Sequence, residues 1–449
     1  MKVLLVSANT HKDPYPVYPL GLDYVAAAIA DDHEVQIADM NGLGGIEPLG
    51  ETIRGFSPDV VGVSLRNIDN TDVEDPIGFM GSYRNLVQAI RDHSDALVVL
   101  GGSGFTINPE PFMDGLKADY GILGEGERLG LLLDAIENHK DAAAIPGVVM
   151  PGLRKPLPGP WGEEFHRGFC KDRPHVEFYL RRGGMLNLQT KRGCGYRCIY
   201  CTYPHIEGRA KRFVAPEKVA DTALQLQAAG ARYFFITDSV FNSDFPHNIA
   251  VARAFRKAGV SIPWGAYFMP VVPPPNYFRL MAEAGLTHVE FGTESLSDRV
   301  LSSYRKPFKA QEVFDAHQEA VDAGLHVAHF FLLGGPGETS DTLDETLGGV
   351  EKLKKSVLFF FCGMRIYPNT KLFDLALEEG QISNIGKVME PVFYRSPHID
   401  AAEILRRVKS QGGGRIDWVV GSGGRKTAKT IERLYERGHT GPLWEHLVR

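Results

Sequence analysis

The chain has 449 residues, 43% of them hydrophobic and 23% charged, with a formal net charge of −6. That is enough chain for two or three domains with buried cores, and the balance excludes a disordered polymer and offers no basic face for nucleic acid. Five cysteines make no disulfide framework, no apolar run reaches the ~18 residues of a membrane span, and the opening run 1–7 lacks the longer apolar core of a signal peptide, so a reducing, cytoplasmic setting is expected.

Residues 1–145 alternate short apolar runs at 3–6, 34–37, 60–65, 97–100 and 120–123 with amphipathic stretches at 20–30, 80–92 and 128–138. This rhythm predicts a doubly wound, Rossmann-like parallel sheet with helices on both faces. The loops after its strands are small and polar: Ser64-Leu65-Arg66-Asn67, Gly101-Gly102-Ser103-Gly104 and Gly124-Glu125-Gly126-Glu127. Ligands bind at the carboxyl ends of such strands, so a nucleotide or cofactor is expected there. Residues 146–185 carry Pro146, Pro151, Pro156, Pro158, Pro160 and Pro174 and read as an irregular linker.

From residue 186 the βα rhythm returns, with strands at 186–190, 233–237, 264–268, 288–292, 327–333 and 358–366. Helices are expected at 216–229, 245–258, 275–284, 310–323, 339–353 and 370–379. Six units are too few for an eightfold barrel and predict a partial (βα)6, TIM-like barrel over 186–380, with its site at the strand C-termini. Residues 381–449 read as a C-terminal extension with helices near 404–409 and 428–437.

Cys194, Cys198 and Cys201 follow the first barrel strand in the spacing C-x3-C-x2-C. Three thiolates can hold three irons of a four-iron cluster and leave one iron open for chemistry. With His205 the same run could form a four-ligand zinc knuckle, and Cys198 with Cys201 could form a redox pair.

The motif, with the aromatic Tyr200 before its last cysteine and the barrel around it, resembles the radical S-adenosylmethionine (SAM) superfamily. That resemblance implies a [4Fe–4S] cluster on the three cysteines, with SAM chelated at the open iron and cleaved reductively, usually to a 5′-deoxyadenosyl radical. It implies SAM contacts at Tyr200, at Asp238 for the ammonium, at Glu294 for the ribose, at Gly334, Gly335 and Pro336 for adenine, and at Arg365 for the carboxylate. It also implies an electron donor such as flavodoxin or ferredoxin.

The first domain resembles the cobalamin-binding domain that precedes the barrel in one branch of this superfamily. The resemblance places corrin contacts at Asn67, Gly101, Gly102, Gly124 and Glu125. The D-x-H-x-x-G pattern of cobalt-ligating histidine is missing: His11 stands in Asn9-Thr10-His11-Lys12-Asp13-Pro14, so it is read as a loop histidine. The implied activity is cobalamin-dependent methyl transfer to an unactivated carbon of a small molecule. Two other readings stand beside it: a radical SAM enzyme without cobalamin, including one that transfers the 3-amino-3-carboxypropyl group or rearranges a skeleton, and a non-catalytic iron–sulfur or zinc protein. The substrate is not legible in the sequence.

Overall fold

The computed structural model describes residues 1–12, 15–153, 155–162, 164–383, 389–421 and 423–448. Asp13 and Pro14, which follow His11 and Lys12 in the sequence, lie outside them.

Two sheets carry the fold. The first has six strands: β1 (Lys2–Ser7), β2 (Glu34–Asp39), β3 (Val60–Ser64), β4 (Leu97–Gly101), β5 (Tyr120–Ile122) and β6 (Val148–Val149). Their order is β2-β1-β3-β4-β5-β6, parallel except for β6. Helices cover both faces, which is why β1, β3 and β4 are nearly continuous apolar runs instead of alternating ones. Because β6 joins this sheet, it runs past residue 145.

The second sheet begins with β7 (Met185–Leu188), which leads into a small hairpin of β8 (Lys191–Arg192) and β9 (Arg212–Phe213). Then come β10 (Tyr233–Ile236), β11 (Trp264–Phe268), β12 (Leu286–Glu294), β13 (His326–Leu333) and β14 (Ser356–Cys362). After these, β15 (Met364–Arg365) pairs with β16 (Phe393–Tyr394), and β17 (Trp418–Val420) returns to the edge of β14. The order β17-β14-β13-β12-β11-β10-β7, all parallel, is an open barrel of seven strands. Its seventh strand comes from the C-terminal extension, which also supplies the helices Ala401–Gly412 and Gly424–Glu436.

Local signals set the helix ends. Phe245–Ala258 starts at Asp244, whose carboxylate accepts the His247 N–H at 3.2 Å, has Pro246 in its first turn, and stops at Gly259 in the left-handed region.

The 146–185 stretch is irregular only in part: Pro174–Arg181 is a helix. It binds both sheets together. Arg167 Nε donates to Asp23 at 2.9 Å, and its Nη1 donates to the Asn187 carbonyl at 2.7 Å. Arg173 adds a second contact to the fully buried Asp23. No helix among the described residues is long and apolar enough to cross a membrane.

Candidate active site between the two sheets

The three cysteines lie in the loop between β8 and the short helix Tyr203–Ile206. Cys194 is buried; Cys198 and Cys201 are half-buried. The loop is pinned through its backbone: Cys194 N–H to the Gly208 carbonyl at 3.1 Å, Ile199 N–H to the Tyr304 carbonyl at 3.2 Å. Gly193 makes this course possible. Its φ is +91°, and a Cβ there would stand 2.0 Å from the Ala210 carbonyl oxygen.

Burial pushes the Cys198 thiol up and the Cys201 thiol up to about 12. A metal reverses that balance by taking the thiolate. Among the described residues no three His, Cys, Asp or Glu side chains converge as a ready single-ion site, and His205 does not join the cysteines as a zinc knuckle. A four-iron cluster does not need that convergence, because each thiolate takes a different iron. The donor set fits a cluster better than one ion.

Both acidic side chains expected from the sequence to contact SAM stand near this loop. Asp238 is fully buried and takes the Thr190 N–H at 2.8 Å, the Thr190 hydroxyl at 2.6 Å and the Lys191 ammonium at 2.7 Å. It therefore anchors the strand that enters the cysteine loop, and the structure does not present it to a SAM ammonium. A buried carboxylate must have such partners.

Glu294 differs. It sits on a register shift at the end of β12, with φ +63°. Its Oε1 accepts the Tyr200 hydroxyl at 2.7 Å and the Lys306 ammonium at 3.0 Å, and Lys306 also reaches the Tyr200 oxygen at 3.2 Å. Burial alone would lower the Lys306 ammonium, but Glu294 and the nearby Cys198 outweigh it and hold it above its ordinary range. Tyr200 and Glu294 are thus brought together beside the cysteines, with Lys306 as a third member that the sequence reading missed.

The turn after β13 closes on the barrel itself. Gly335 N–H donates to the Tyr304 hydroxyl at 3.0 Å, a Cβ there would meet Tyr304 Oη at 2.5 Å, and the Pro336 carbonyl accepts from Ser303. Gly334 has φ +85°. Close packing against Tyr304 is the visible reason for small residues here. Arg365 is committed elsewhere: its Nε donates to Asp69 of the first domain at 2.7 Å, its Nη1 to backbone carbonyls at 366 and 392. The expected SAM carboxylate contact gives way to a buried bridge between the two sheets.

Between the sheets lies a cleft of about 690 Å³. One wall is the carboxyl edge of the first sheet, including Asn67, Gly101, Gly102 and Gly124. The other is barrel: Thr202, Tyr203 and Ile206 after the cysteines, with Asn187, Phe235 and Tyr267. Gly102, at φ +93°, lets the loops after β3 and β4 touch; a Cβ would stand 2.7 Å from the Leu65 carbonyl oxygen. Gly124 faces the Ile206 carbonyl, which would lie 3.7 Å from a Cβ. His11 borders the cleft in a turn held by the Asn9 side chain. The size, the glycine-lined wall and the position suit a large planar cofactor.

Glu125 also borders the cleft, but its carboxylate holds the two sheets together. It accepts from Arg192 at 2.5 Å, from Arg212 at 3.0 Å and from the Trp161 N–H at 2.6 Å. Glu127 joins Arg192 at 2.6 Å. Arg192 packs on Tyr24 and Phe165 and stands two residues before Cys194, so this ion cluster ties the first domain to the cysteine loop.

Comparison with known proteins agrees with this geometry. Residues 6–131 match the B12 binding domain, and residues 188–348 match the radical SAM superfamily. An uncharacterized methyltransferase of Pyrococcus horikoshii is 26% identical over 84% of this chain and 83% of its own. Tryptophan 2-C-methyltransferase of Streptomyces laurentii is 24% identical over 79% of this chain and 71% of its own. The solved structure of the radical SAM methyltransferase TsrM from Kitasatospora setae, with tryptophan and a SAM analogue bound, superposes with TM-score 0.88 at 23% identity, covering 99% of this chain and 97% of that one. A second structure of TsrM holds cobalamin and a [4Fe–4S] cluster, with TM-score 0.87. The likeness to TsrM is one of fold. The chain thus carries a B12-binding domain match followed by a radical SAM domain match, in this order.

Proposed function

We propose that the enzyme is a cobalamin-dependent methyltransferase that acts on an unactivated carbon of a small molecule. One juxtaposition carries this reading: the helix that follows the three cysteines and the glycine-lined strand ends of the B12-binding domain form opposite walls of the same cleft. A cofactor in the first domain and a cluster in the second would then face a common substrate space. The methyltransferase relatives support the reaction type.

Bound cluster supplies the electron for SAM cleavage, and bound cobalamin carries the methyl group. The chain's own residues position these groups. Cys194, Cys198 and Cys201 would hold three irons of the cluster and leave the fourth open for SAM. Glu294, Tyr200 and Lys306 give SAM a polar edge beside the loop. Asn67, Gly101, Gly102 and Gly124 would offer their backbone to the corrin, and the Glu125–Arg192 ion cluster ties the B12-binding domain to the cysteine loop. A flavodoxin or ferredoxin supplies electrons, and the free thiols suit the reducing cytoplasm.

The test is anaerobic purification with cobalamin present, followed by metal and corrin analysis. About four iron atoms per chain and one corrin are expected, with iron lost and corrin kept in Cys198→Ala. Iron without any corrin under saturating cobalamin would remove the methyltransferase reading and leave a cobalamin-independent radical enzyme.

A further inference from the structure

The cysteine loop has an outer side that none of the roles above uses, and cations gather there. Within the C-x3-C spacing Cys194 is buried, but Gly195 and Arg197 are exposed. Arg197 is joined through the chain to Cys198, so their Cα atoms lie about 3.8 Å apart. Arg209, also exposed, reaches over the same loop: its Nη1 donates to the Tyr196 carbonyl at 3.2 Å. Lys211 passes close behind, its Cα 3.4 Å from where a Cβ on Gly193 would stand. Arg305 arrives from the other flank. The Tyr304 carbonyl before it accepts the Ile199 N–H, and Lys306 after it turns in to Glu294, while Arg305 itself stands exposed at φ +58°. None of these four cations lines the cleft.

This rim runs against the rest of the chain, whose formal net charge is −6. Exposed arginines elsewhere find a carboxylate: Arg256 has Glu283 at 2.9 Å and Arg406 has Glu403 at 2.7 Å. On the rim only Lys211 has one among the described residues, Asp244 at 2.8 Å. The side chains of Arg197 and Arg305 make no hydrogen bond or ion pair there. Like charges held together without counter-charges repel, so the arrangement costs stability that an acidic partner would return. Phe213 adds an apolar spot. It is 41% exposed, with the Lys211 ammonium 5.8 Å from its ring and the His247 ring packed behind at 4.6 Å. Exposed arginine beside an exposed aromatic is the composition of a protein interface.

We infer that this rim is the docking surface of an acidic protein that delivers single electrons to the cysteine loop. The carrier is oxidised by one electron and the cluster held by the three cysteines is reduced by one; no bond or proton moves. The carrier has to approach Cys198 closely, and on the cleft side the first domain stands in the way. The rim offers the other approach, one residue from that ligand. Its charge selects an acidic carrier and steers it on arrival, which raises the rate of encounter more than the final affinity. The inference locates the partner of the site proposed above and rests on that reading.

The test uses the anaerobically reconstituted full chain, with an acidic flavodoxin as the probe. Calorimetry reads the affinity for oxidised flavodoxin, and stopped-flow absorbance reads cluster reduction by the reduced form. Raising salt from about 10 to about 150 mM shortens the screening length from about 30 to about 8 Å and should slow reduction of the wild type about tenfold. Two net-acidic proteins without such a rim repel, and salt would speed their reaction instead. Arg197→Glu with Arg305→Glu should slow reduction about tenfold at low salt, weaken the calorimetric affinity about threefold, and abolish the slowing by salt. Reduced methyl viologen, a small cation that needs no rim, should reduce the double variant at least as fast as the wild type. Should that variant not hold iron, Arg305→Glu alone, outside the cysteine loop, decides, with about threefold slowing expected. A wild-type rate that salt leaves unchanged or raises, a rate and affinity that the substitutions leave unchanged, or equal slowing with both reductants, overturns the inference. SAM products are measured on the same samples. S-adenosylhomocysteine formed without carrier discrimination defeats only this inference; discrimination without S-adenosylhomocysteine defeats only the reading of the reaction.

Discussion

Asp238 and Glu294 make an instructive pair. Both are acidic residues at the mouth of a barrel strand, and both are expected from sequence to touch SAM. The structure separates them. Asp238 spreads its contacts over two oxygens, to Thr190 and Lys191, with no exposure. Glu294 receives Tyr200 and Lys306 on one oxygen, from a left-handed backbone position beside the cysteines. Residue type and strand-end position are therefore not enough to name a ligand contact. Partner count and burial divide the residue that builds the loop from the one that can serve what the loop holds.

The largest expected effect sharpens this contrast. Asp238→Asn leaves the Lys191 ammonium buried without its counter-charge, at a cost of about 4 kcal/mol. Thermal unfolding should show it as a clear fall in Tm, with SAM affinity unchanged in whatever folds. Arg365→Met comes next. It takes the counter-charge from Asp69, to which the Thr71 N–H still donates, at a cost of about 3 kcal/mol. SAM binding within twofold of wild type is expected, because Arg365 serves the domain interface; a tenfold loss would return it to the SAM site.

Glu294→Gln should reverse the pattern. Gln still accepts the Tyr200 hydroxyl, so stability falls by only about 1–2 kcal/mol, while SAM affinity measured by dialysis falls about tenfold. If Asp238→Asn and Glu294→Gln give the same ratio of stability loss to SAM loss, the distinction between them is wrong.

A smaller effect comes from the far side of β12. Thr293 Oγ1 meets His329 Nδ1 at 2.7 Å, and His329 Nε2 meets His317 Nδ1 at 3.0 Å. Burial lowers His317 to about 4, and burial followed by the His317 charge lowers His329 further. The unfolded chain takes up these protons near pH 6.5 and the native chain does not, so stability is full above about pH 6.5 and declines as the pH falls toward 4. A Tm series from pH 7.5 to 5 should fall by a few degrees, with a shallower slope in His317→Asn.

Much of the fold is legible in the sequence because parallel strands buried on both faces read as short apolar runs. The run at 264–268 coincides with β11 and that at 245–258 with its helix. β17 is hidden because three residues give no periodicity and its place beside β14 is a tertiary matter. The helix Pro174–Arg181 is masked by the proline-rich stretch around it, although Pro174 itself stands in its first turn, where proline is tolerated.

At the site, Cys194, Cys198 and Cys201 are legible because ligand spacing is local. The partners of Arg365 and Glu125 are not, since they lie 296 and 67 residues away, at Asp69 and Arg192. Lys306 leaves no local signal at all, because only the folded barrel gives it its neighbours.

The most direct test of the account is the yield of S-adenosylhomocysteine from anaerobically reconstituted enzyme under reductant, with and without cobalamin. The account predicts S-adenosylhomocysteine only when cobalamin is present. Yield that is the same without cobalamin, or methylthioadenosine in its place, would contradict it.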